Sequence, residues 1–108
     1  VAWWTGVDPA TTGQNATYFK NEQSAVWGPC LDFTGMERPM ISLKYWSDAQ
    51  KDFDGAVLQY SLDGAQSWKT IGDNSGVGID WYNGSNLSGS PGGQDNFAWT
   101  DKSNGWRT

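Results

Sequence analysis

The residues best suited to chemistry in this chain are aromatic. Eight tryptophans and four tyrosines occur among 108 residues, more than a core of this size requires. A sugar ring presents a flat patch of C–H groups, and an exposed indole or phenol ring covers that patch while the hydroxyl groups keep their hydrogen bonds. The side chains that we expect to bind carbohydrate are Trp46, Asp80, Trp81, Tyr82, Asn83 and Trp99, with Gln94 and Asp95 as further hydrogen-bonding groups.

Each of these rings also has other interpretations. Tryptophan often packs the corners of β-sheet folds, and we expect Trp27 and Trp68 to do so. For Trp81 and Trp99, packing inside the fold, stacking on a ligand and contact with a partner protein all stay open.

A second set of chemically capable residues is acidic. Asp48, Asp52 and Asp54 crowd one predicted loop. Carboxylate oxygens at such spacing can hold Ca²⁺, and we expect a calcium site there, with Asp54 the most interesting ligand because it precedes a strand. The alternative is an ordinary solvated acidic loop, since no EF-hand pattern is present.

Enzymatic chemistry has little support in the sequence. The chain contains no histidine, which excludes Ser-His, Cys-His and His-metal catalysis. Arg38 and Arg107 are the only arginines, so a sialidase-like arginine triad is impossible. No spacing selects the pair of opposed carboxylates that a glycosidase needs. We therefore predict a non-enzymatic module, a prediction that is compatible with an accessory domain of a secreted hydrolase.

Composition narrows the class of partner. The formal net charge is −5, with only seven scattered basic residues, which opposes binding to nucleic acid or to an anionic membrane. No segment is long and apolar enough to insert into a membrane. The single cysteine, Cys30, is predicted to be a small buried hydrophobe. Glycosylation sequons occur at Asn15, Asn83 and Asn86, and chance easily produces them in such a composition.

The elements that must position these groups are short strands separated by turns. Residues 57–61 alternate in polarity, the Asp63-Gly64 pair predicts a tight turn, and residues 68–71 resume an extended pattern. Residues 40–46 alternate cleanly as well, with Trp46 opposite the apolar face. Shorter strands are predicted at 24–27 and 31–33, a turn at Thr34-Gly35, and a long irregular loop at 84–96.

As an ordered set, several segments resemble the MAM-like and reelin-like jelly-roll modules of secreted multidomain bacterial proteins. The segments are 24–35, 38–46 and 53–61, with Trp81-Tyr82-Asn83 and Asn104-Gly105-Trp106. The resemblance implies an all-β, mostly antiparallel jelly-roll β-sandwich on secreted or cell-surface proteins, often beside hydrolases or adhesion repeats. In those modules further strands follow the position of Gly105-Trp106. The resemblance therefore implies that residues 1–108 are a single sandwich domain, a C-terminally truncated fragment of one, or a fold that a neighbouring chain completes with a strand.

Residues 61–68 are also similar to the Asp-box hairpin of sialidases and other β-propellers. The residues that carry this likeness are Ser61, Asp63, Gly64 and Trp68. The pattern has glycine where this chain has Ala65, so we expect an altered or strained turn. The resemblance implies a folding element and no catalytic role.

These observations lead to one functional expectation and one alternative. We expect an extracellular recognition module that binds a glycan or cell-surface polysaccharide through exposed aromatic residues. The alternative is a structural subunit of a cell-surface or filamentous assembly, in which the same rings pack against copies of the chain or against a neighbouring domain.

Overall fold

The computed structural model describes Thr5 and residues 18–73, 78–93 and 97–108. The chain divides into two compact units, Val1–Pro39 and Met40–Thr108. Strand β1 is Gln59–Tyr60, strand β2 is Lys69–Thr70, and a short 3-10 turn covers Pro91–Gly93. The described ranges contain no α-helix, and in them we find no helix with the length and hydropathy that a membrane crossing requires.

The first unit consists, in its described part, of turns, a bend and chain without regular secondary structure. The predicted turn at Thr34-Gly35 is confirmed: Met36 N–H donates to the Phe33 carbonyl at 3.1 Å, and Gly35 has a φ of +80°. The Asp32 carboxylate accepts the Thr34 N–H at 2.8 Å, and hydrogen bonds from Thr34 lower the pKa of that carboxyl. The turn is therefore held by its own side chain.

Three expectations for this unit are wrong. Residues 24–27 and 31–33 have no regular secondary structure and do not pair as strands. Cys30 is exposed and not buried, and Trp27 is 67% exposed and so is not buried corner packing. The physical reason is shared, because segments that do not pair into a sheet have no apolar sheet face under which to bury their side chains.

The second unit is held together by antiparallel pairing. In β1 and β2, Gln59 lies opposite Thr70 and Tyr60 opposite Lys69, which agrees with the predicted hairpin. Isolated antiparallel bridges join segments far apart in the sequence: Tyr45 with Arg107, Asp48 with Lys102, Ala56 with Trp99, and Gly84 with Ala98. The non-helical, antiparallel part of the fold prediction is thereby confirmed, and the jelly-roll sandwich stays a prediction.

The segment 98–100 lies at the centre of this pairing. It exchanges backbone hydrogen bonds with Ala56 on one strand segment and with Gly84 on another. Both approaches are close: a Cβ on Gly55 would stand 2.6 Å from the Ala98 Cβ, and one on Gly84 would stand 2.5 Å from the Thr100 Cγ2. Glycine at these two positions lets the backbones meet over the core.

The core of the second unit is small. The side chains buried there among the described residues are Tyr82, Leu87, Ala98, Trp99, Thr100 and Ser103. Leu87 belongs to the long loop predicted at 84–96, whose last three residues lie outside the described ranges. Its burial anchors an otherwise irregular segment, since a fully buried leucine contributes about 1.5–3 kcal/mol.

The 40–46 strand is shorter than its alternating pattern predicts. Only Tyr45 pairs, by two hydrogen bonds of 2.9 and 3.0 Å with the Arg107 backbone. Between this bridge and the one joining Asp48 to Lys102, the chain advances three residues on one side and five on the other. The two extra residues make a bulge, which contains Asn104 and Gly105 in positive-φ conformations and bends the paired segments.

Candidate functional site

Three aromatic rings of the second unit pack around one tryptophan. The Trp99 ring lies 5.0 Å from Tyr45, 5.2 Å from Trp81 and 4.8 Å from Tyr82, measured between ring centroids. The Tyr45 contact is stacked, with 27° between planes, and the other two are edge-on. Such arrangements contribute about 0.5–1.5 kcal/mol per pair beyond area burial. We call Tyr45, Trp81, Tyr82 and Trp99 the aromatic cluster.

Two rings of the aromatic cluster are interior. This corrects the expectation that Tyr82 is an exposed binding residue, and of the three interpretations left open for Trp99 it favours packing inside the fold. Trp99 is 5% exposed and Tyr82 is 6% exposed. The Trp99 indole N–H donates to the Asp80 carbonyl at 3.4 Å, and the Tyr82 hydroxyl accepts the Leu58 N–H at 3.0 Å. The polar group of each ring, the indole N–H or the hydroxyl, is therefore hydrogen-bonded to the backbone. Buried tryptophan and tyrosine side chains usually have such a partner. Neither can stack on a ligand in this conformation.

The other two rings of the cluster form the walls of a surface groove. Tyr45 and Trp81 are both half-buried. They line a depression of about 180 Å³ together with five polar residues. These polar residues are Asp80, Asn83, Lys102, Ser103 and Arg107. We call this depression the Tyr45–Trp81 groove; it brings together three of the predicted carbohydrate-binding residues, Asp80, Trp81 and Asn83.

Backbone contacts fix both walls of the groove. Directly opposed residues in an antiparallel pair project their side chains to the same face, so the bridge between Tyr45 and Arg107 holds those side chains side by side. On the other wall, the Trp81 indole N–H donates to the Ile71 carbonyl at 3.2 Å, which sets the plane of the ring. The groove is thus formed by anchored side chains.

A positive and a negative side chain both influence the pKa of the Tyr45 phenol. Burial raises the pKa of Tyr45, the Arg107 guanidinium lowers it, and the Asp80 carboxylate raises it further. Lys102 has its Nζ 3.5 Å from an Asp48 carboxylate oxygen, and both side chains are largely exposed. Such an exposed pair contributes only about 0–1 kcal/mol. The groove therefore combines two aromatic walls with charged side chains of both signs.

Asn83 is positioned differently from what its predicted role requires. Its Nδ2 donates to the Thr100 carbonyl at 2.9 Å, and its Oδ1 accepts the Thr100 N–H at 2.8 Å. The side chain thus imitates a strand neighbour and satisfies the backbone of a buried residue. One amide N–H and one oxygen lone pair remain for other partners. The main role of Asn83 is to hold the backbone of Thr100 in place.

Trp46 lies apart from the other predicted binding residues. It is 44% exposed but does not line the Tyr45–Trp81 groove. Successive side chains of an extended segment project to opposite faces, so the residue after Tyr45 turns away from the groove. Gln94 and Asp95 lie outside the described residues, as does the sequon asparagine Asn15.

The predicted calcium ligands do not form a site. Within the described ranges, no three acidic or cysteine side chains converge as a metal would require, and Asp48, Asp52 and Asp54 are all described. Asp48 pairs with Lys102, and the Asp52 and Asp54 carbonyls accept hydrogen bonds from Ser88 and Thr100. The three residues therefore serve chain pairing and loop attachment, which corrects the prediction of a shared ion.

The Asp63 turn, residues 61–68, is a dense local network. The Asp63 Oδ1 accepts from the Ser61 hydroxyl and from the N–H groups of Gln66 and Ser67, at 2.7, 3.0 and 2.9 Å. The Ser67 hydroxyl donates to Oδ2. Gly64 and Ala65 both have a φ of +69°, so an alanine occupies a left-handed position that favours glycine. Trp68 is half-buried and leads into β2.

Sequence reasoning did not identify Tyr45, Lys102, Ser103 or Arg107 as groove residues. The alternation of residues 40–46 places Tyr45 on the apolar face of its strand, and the other three residues flank the Asn104-Gly105 turn signal without a pattern of their own. The Gly105-Trp106 motif was visible, but a bulge register is not encoded in any short pattern. The signal that points to Arg107 is its pairing with Tyr45, which only the structure provides.

Comparison with known proteins places the chain in no family. No protein-family model, no curated protein and no solved structure matches it significantly.

Proposed function

We propose that the unit Met40–Thr108 is a non-catalytic carbohydrate-recognition module that binds a sugar ring in the Tyr45–Trp81 groove. The observation that carries the proposal is the groove itself. Two anchored aromatic rings with half-buried faces flank polar groups that include a carboxylate, an amide and a guanidinium. Aromatic faces with a few convergent polar groups are the usual makeup of a site that binds a sugar.

The position of each groove residue suggests its role in binding the sugar. The half-buried Trp81 ring covers the C–H face of the sugar, and Tyr45 bounds the opposite side. The Asp80 carboxylate accepts hydroxyl hydrogen bonds, and it is acceptor-only when ionised. The remaining N–H of Asn83 donates to a ring or hydroxyl oxygen. Because the volume of about 180 Å³ is well below the roughly 300–1,000 Å³ of pockets for drug-sized ligands, we expect one ring to be bound.

The jelly-roll fold and an extracellular location are part of the same proposal. Antiparallel bridges between distant segments, such as Tyr45 with Arg107 and Ala56 with Trp99, support a sandwich of the jelly-roll kind. The resemblance to MAM-like and reelin-like modules supports a location on secreted or cell-surface bacterial proteins.

The test is binding by variants that remove one groove wall. A glycan array on the full chain identifies the best polysaccharide, and affinity gel electrophoresis then measures its dissociation constant. Trp81→Ala should weaken binding by about tenfold or more, since it removes the apolar ring surface that the sugar covers, at roughly 25 cal/mol per Å² of buried area. Trp106→Ala is the matched control, because Trp106 is 62% exposed and outside the groove. Unchanged affinity in a folded Trp81→Ala variant, or no glycan bound at all, would refute the proposal.

The structural-subunit alternative has one observation in its favour. Large apolar side chains of the second unit remain exposed, among them Leu62, Ile79 and Trp106. Large exposed apolar side chains are available to pack against another chain. Light scattering over a range of protein concentrations separates the two functions: a polymer that grows with concentration and binds no glycan supports assembly, and a monomer that binds a polysaccharide supports recognition.

A further inference from the structure

The Tyr45–Trp81 groove carries two opposite charges that do not neutralise each other. Asp80 and Arg107 both line it, and both act on the Tyr45 phenol, with opposite effects on its pKa. Their charged atoms nevertheless lie more than 4.0 Å apart, because the one ion pair within that distance among the described residues is Lys102 with Asp48. A carboxylate and a guanidinium on one groove without mutual contact leave room for a ligand between them.

The Arg107 guanidinium is held in place with most of its donors open. Its Nε donates to the Ser103 carbonyl at 3.0 Å, and its backbone exchanges two hydrogen bonds with Tyr45. No described carboxylate lies within 4.0 Å of it. Four of its five N–H groups therefore remain, in the planar fork that matches a carboxylate.

We infer that the sugar bound in the Tyr45–Trp81 groove carries a carboxylate, as a uronic acid residue does, and that Arg107 binds that carboxylate. The inference rests on the proposed function, since it names the class of sugar for the same groove. A guanidinium that is already fixed by a backbone hydrogen bond loses less side-chain entropy on binding, and a bidentate contact with a carboxylate is both strong and directional.

Asp80 sets the direction of the bound ring. Its carboxylate repels a ligand carboxylate and accepts from hydroxyl groups, so the acidic group of the sugar must point towards Arg107. Lys102 lines the same groove but has a partner in Asp48, so its contribution is smaller. The rest of the chain opposes a polyanion, because the net charge is −5. Binding of an acidic polysaccharide thus requires a local cationic site.

The experiment compares acidic polysaccharides with their own neutral forms. Affinity gels of the full chain contain polygalacturonate, alginate or hyaluronan, each beside the same polymer after chemical reduction of its carboxyl groups. At least one acidic polymer should bind about tenfold or more tightly than its reduced form, because a hydrogen bond to a charged group contributes about 1.5–3 kcal/mol. Arg107→Met should abolish that difference, and Arg107→Lys should restore it only partly.

Controls keep the outcomes separate. Lys69→Met removes one cation outside the groove, on β2, and should leave the preference for the acidic polymer intact. Near-ultraviolet circular dichroism reports whether the aromatic cluster of each variant is folded. Equal binding of acidic and reduced polymers overturns the inference and leaves the proposed function standing, as does an acidic preference that survives in folded Arg107→Met. Failure to bind any glycan overturns both.

Discussion

The Asp63 turn and the aromatic cluster lie in the same unit and are stabilised in opposite ways. The Asp63 turn is held by hydrogen bonds between residues at most four apart, and its central carboxylate is exposed. The aromatic cluster joins Tyr45 to Trp99 across more than fifty positions, and two of its rings are buried. One region satisfies polar groups locally and the other buries apolar rings through long-range pairing.

The contrast shows which parts of this fold depend on the rest of it. A local hydrogen-bonded turn forms and breaks by itself, at a small cost to the whole. The cluster exists only when segments 45–48, 56–60, 81–84 and 98–107 are all in register. We therefore expect changes in the aromatic cluster to be costly and changes in the Asp63 turn to be mild.

The largest effect should come from Trp99→Ala. Removal of this buried ring deletes contacts with three other rings and leaves a cavity, which should cost about 3–5 kcal/mol of unfolding free energy. Urea denaturation followed by circular dichroism measures the loss. Trp106→Ala is the control and should stay within about 0.5 kcal/mol of wild type, as exposed substitutions usually do. Equal losses in the two variants would show that Trp99 is not the centre of the core.

Asn83→Ala should have the second largest effect. It leaves the N–H and carbonyl of buried Thr100 without the two hydrogen bonds that the Asn83 amide now provides, at a cost of about 1–3 kcal/mol. The same urea experiment checks it, with the exposed Ser85→Ala as control. If Asn83→Ala is as stable as the control, the amide does not fix segment 98–100.

The sequence predicted the Asp63 turn, which depends on local residues, and did not predict the aromatic cluster, which depends on long-range pairing. The alternation at residues 57–61 and the Asp63-Gly64 pair indicated the hairpin, because the conformation of a tight turn is determined by the types of a few consecutive residues. The misfit of Ala65 was visible for the same reason. Burial of Tyr82 was missed, and burial of Trp99 was one of three open interpretations, since nothing near either residue specifies which distant segments cover it. Arg107 was missed because its place beside Tyr45 depends on a bulge, and the residues of a bulge have no distinctive pattern.

A smaller change of opposite sign is expected in the Asp63 turn. Ala65→Gly relieves a left-handed φ of +69° and should raise stability by about 1 kcal/mol. Gly64→Ala is the reverse substitution at a neighbouring position and should lower stability. Gly64 has the same φ and open space around its Cα, so the alanine adds backbone strain without a steric clash. Thermal melts of both variants should shift in opposite directions. Destabilisation by Ala65→Gly would mean that the alanine is not strained.

The smallest effect is a pH dependence confined to the same turn. Hydrogen bonds from Ser67, Ser61 and Gln66 hold the pKa of Asp63 far below its ordinary value. A depressed carboxyl pKa stabilises the fold above the unfolded pKa of about 3.9, and that stability is lost as pH falls towards the native pKa. The melting temperature of wild type should therefore exceed that of Asp63→Asn by a few degrees at neutral pH, and the gap should narrow below about pH 4. A gap that does not change with pH would contradict this assignment.

The most direct test of the central claim observes the tryptophan indole N–H signals by nuclear magnetic resonance while the best-bound oligosaccharide is titrated. Sugar bound in the Tyr45–Trp81 groove should shift the Trp81 signal and leave those of Trp46 and Trp106 in place. Saturable binding that moves Trp46 or Trp106 and not Trp81 would contradict the account.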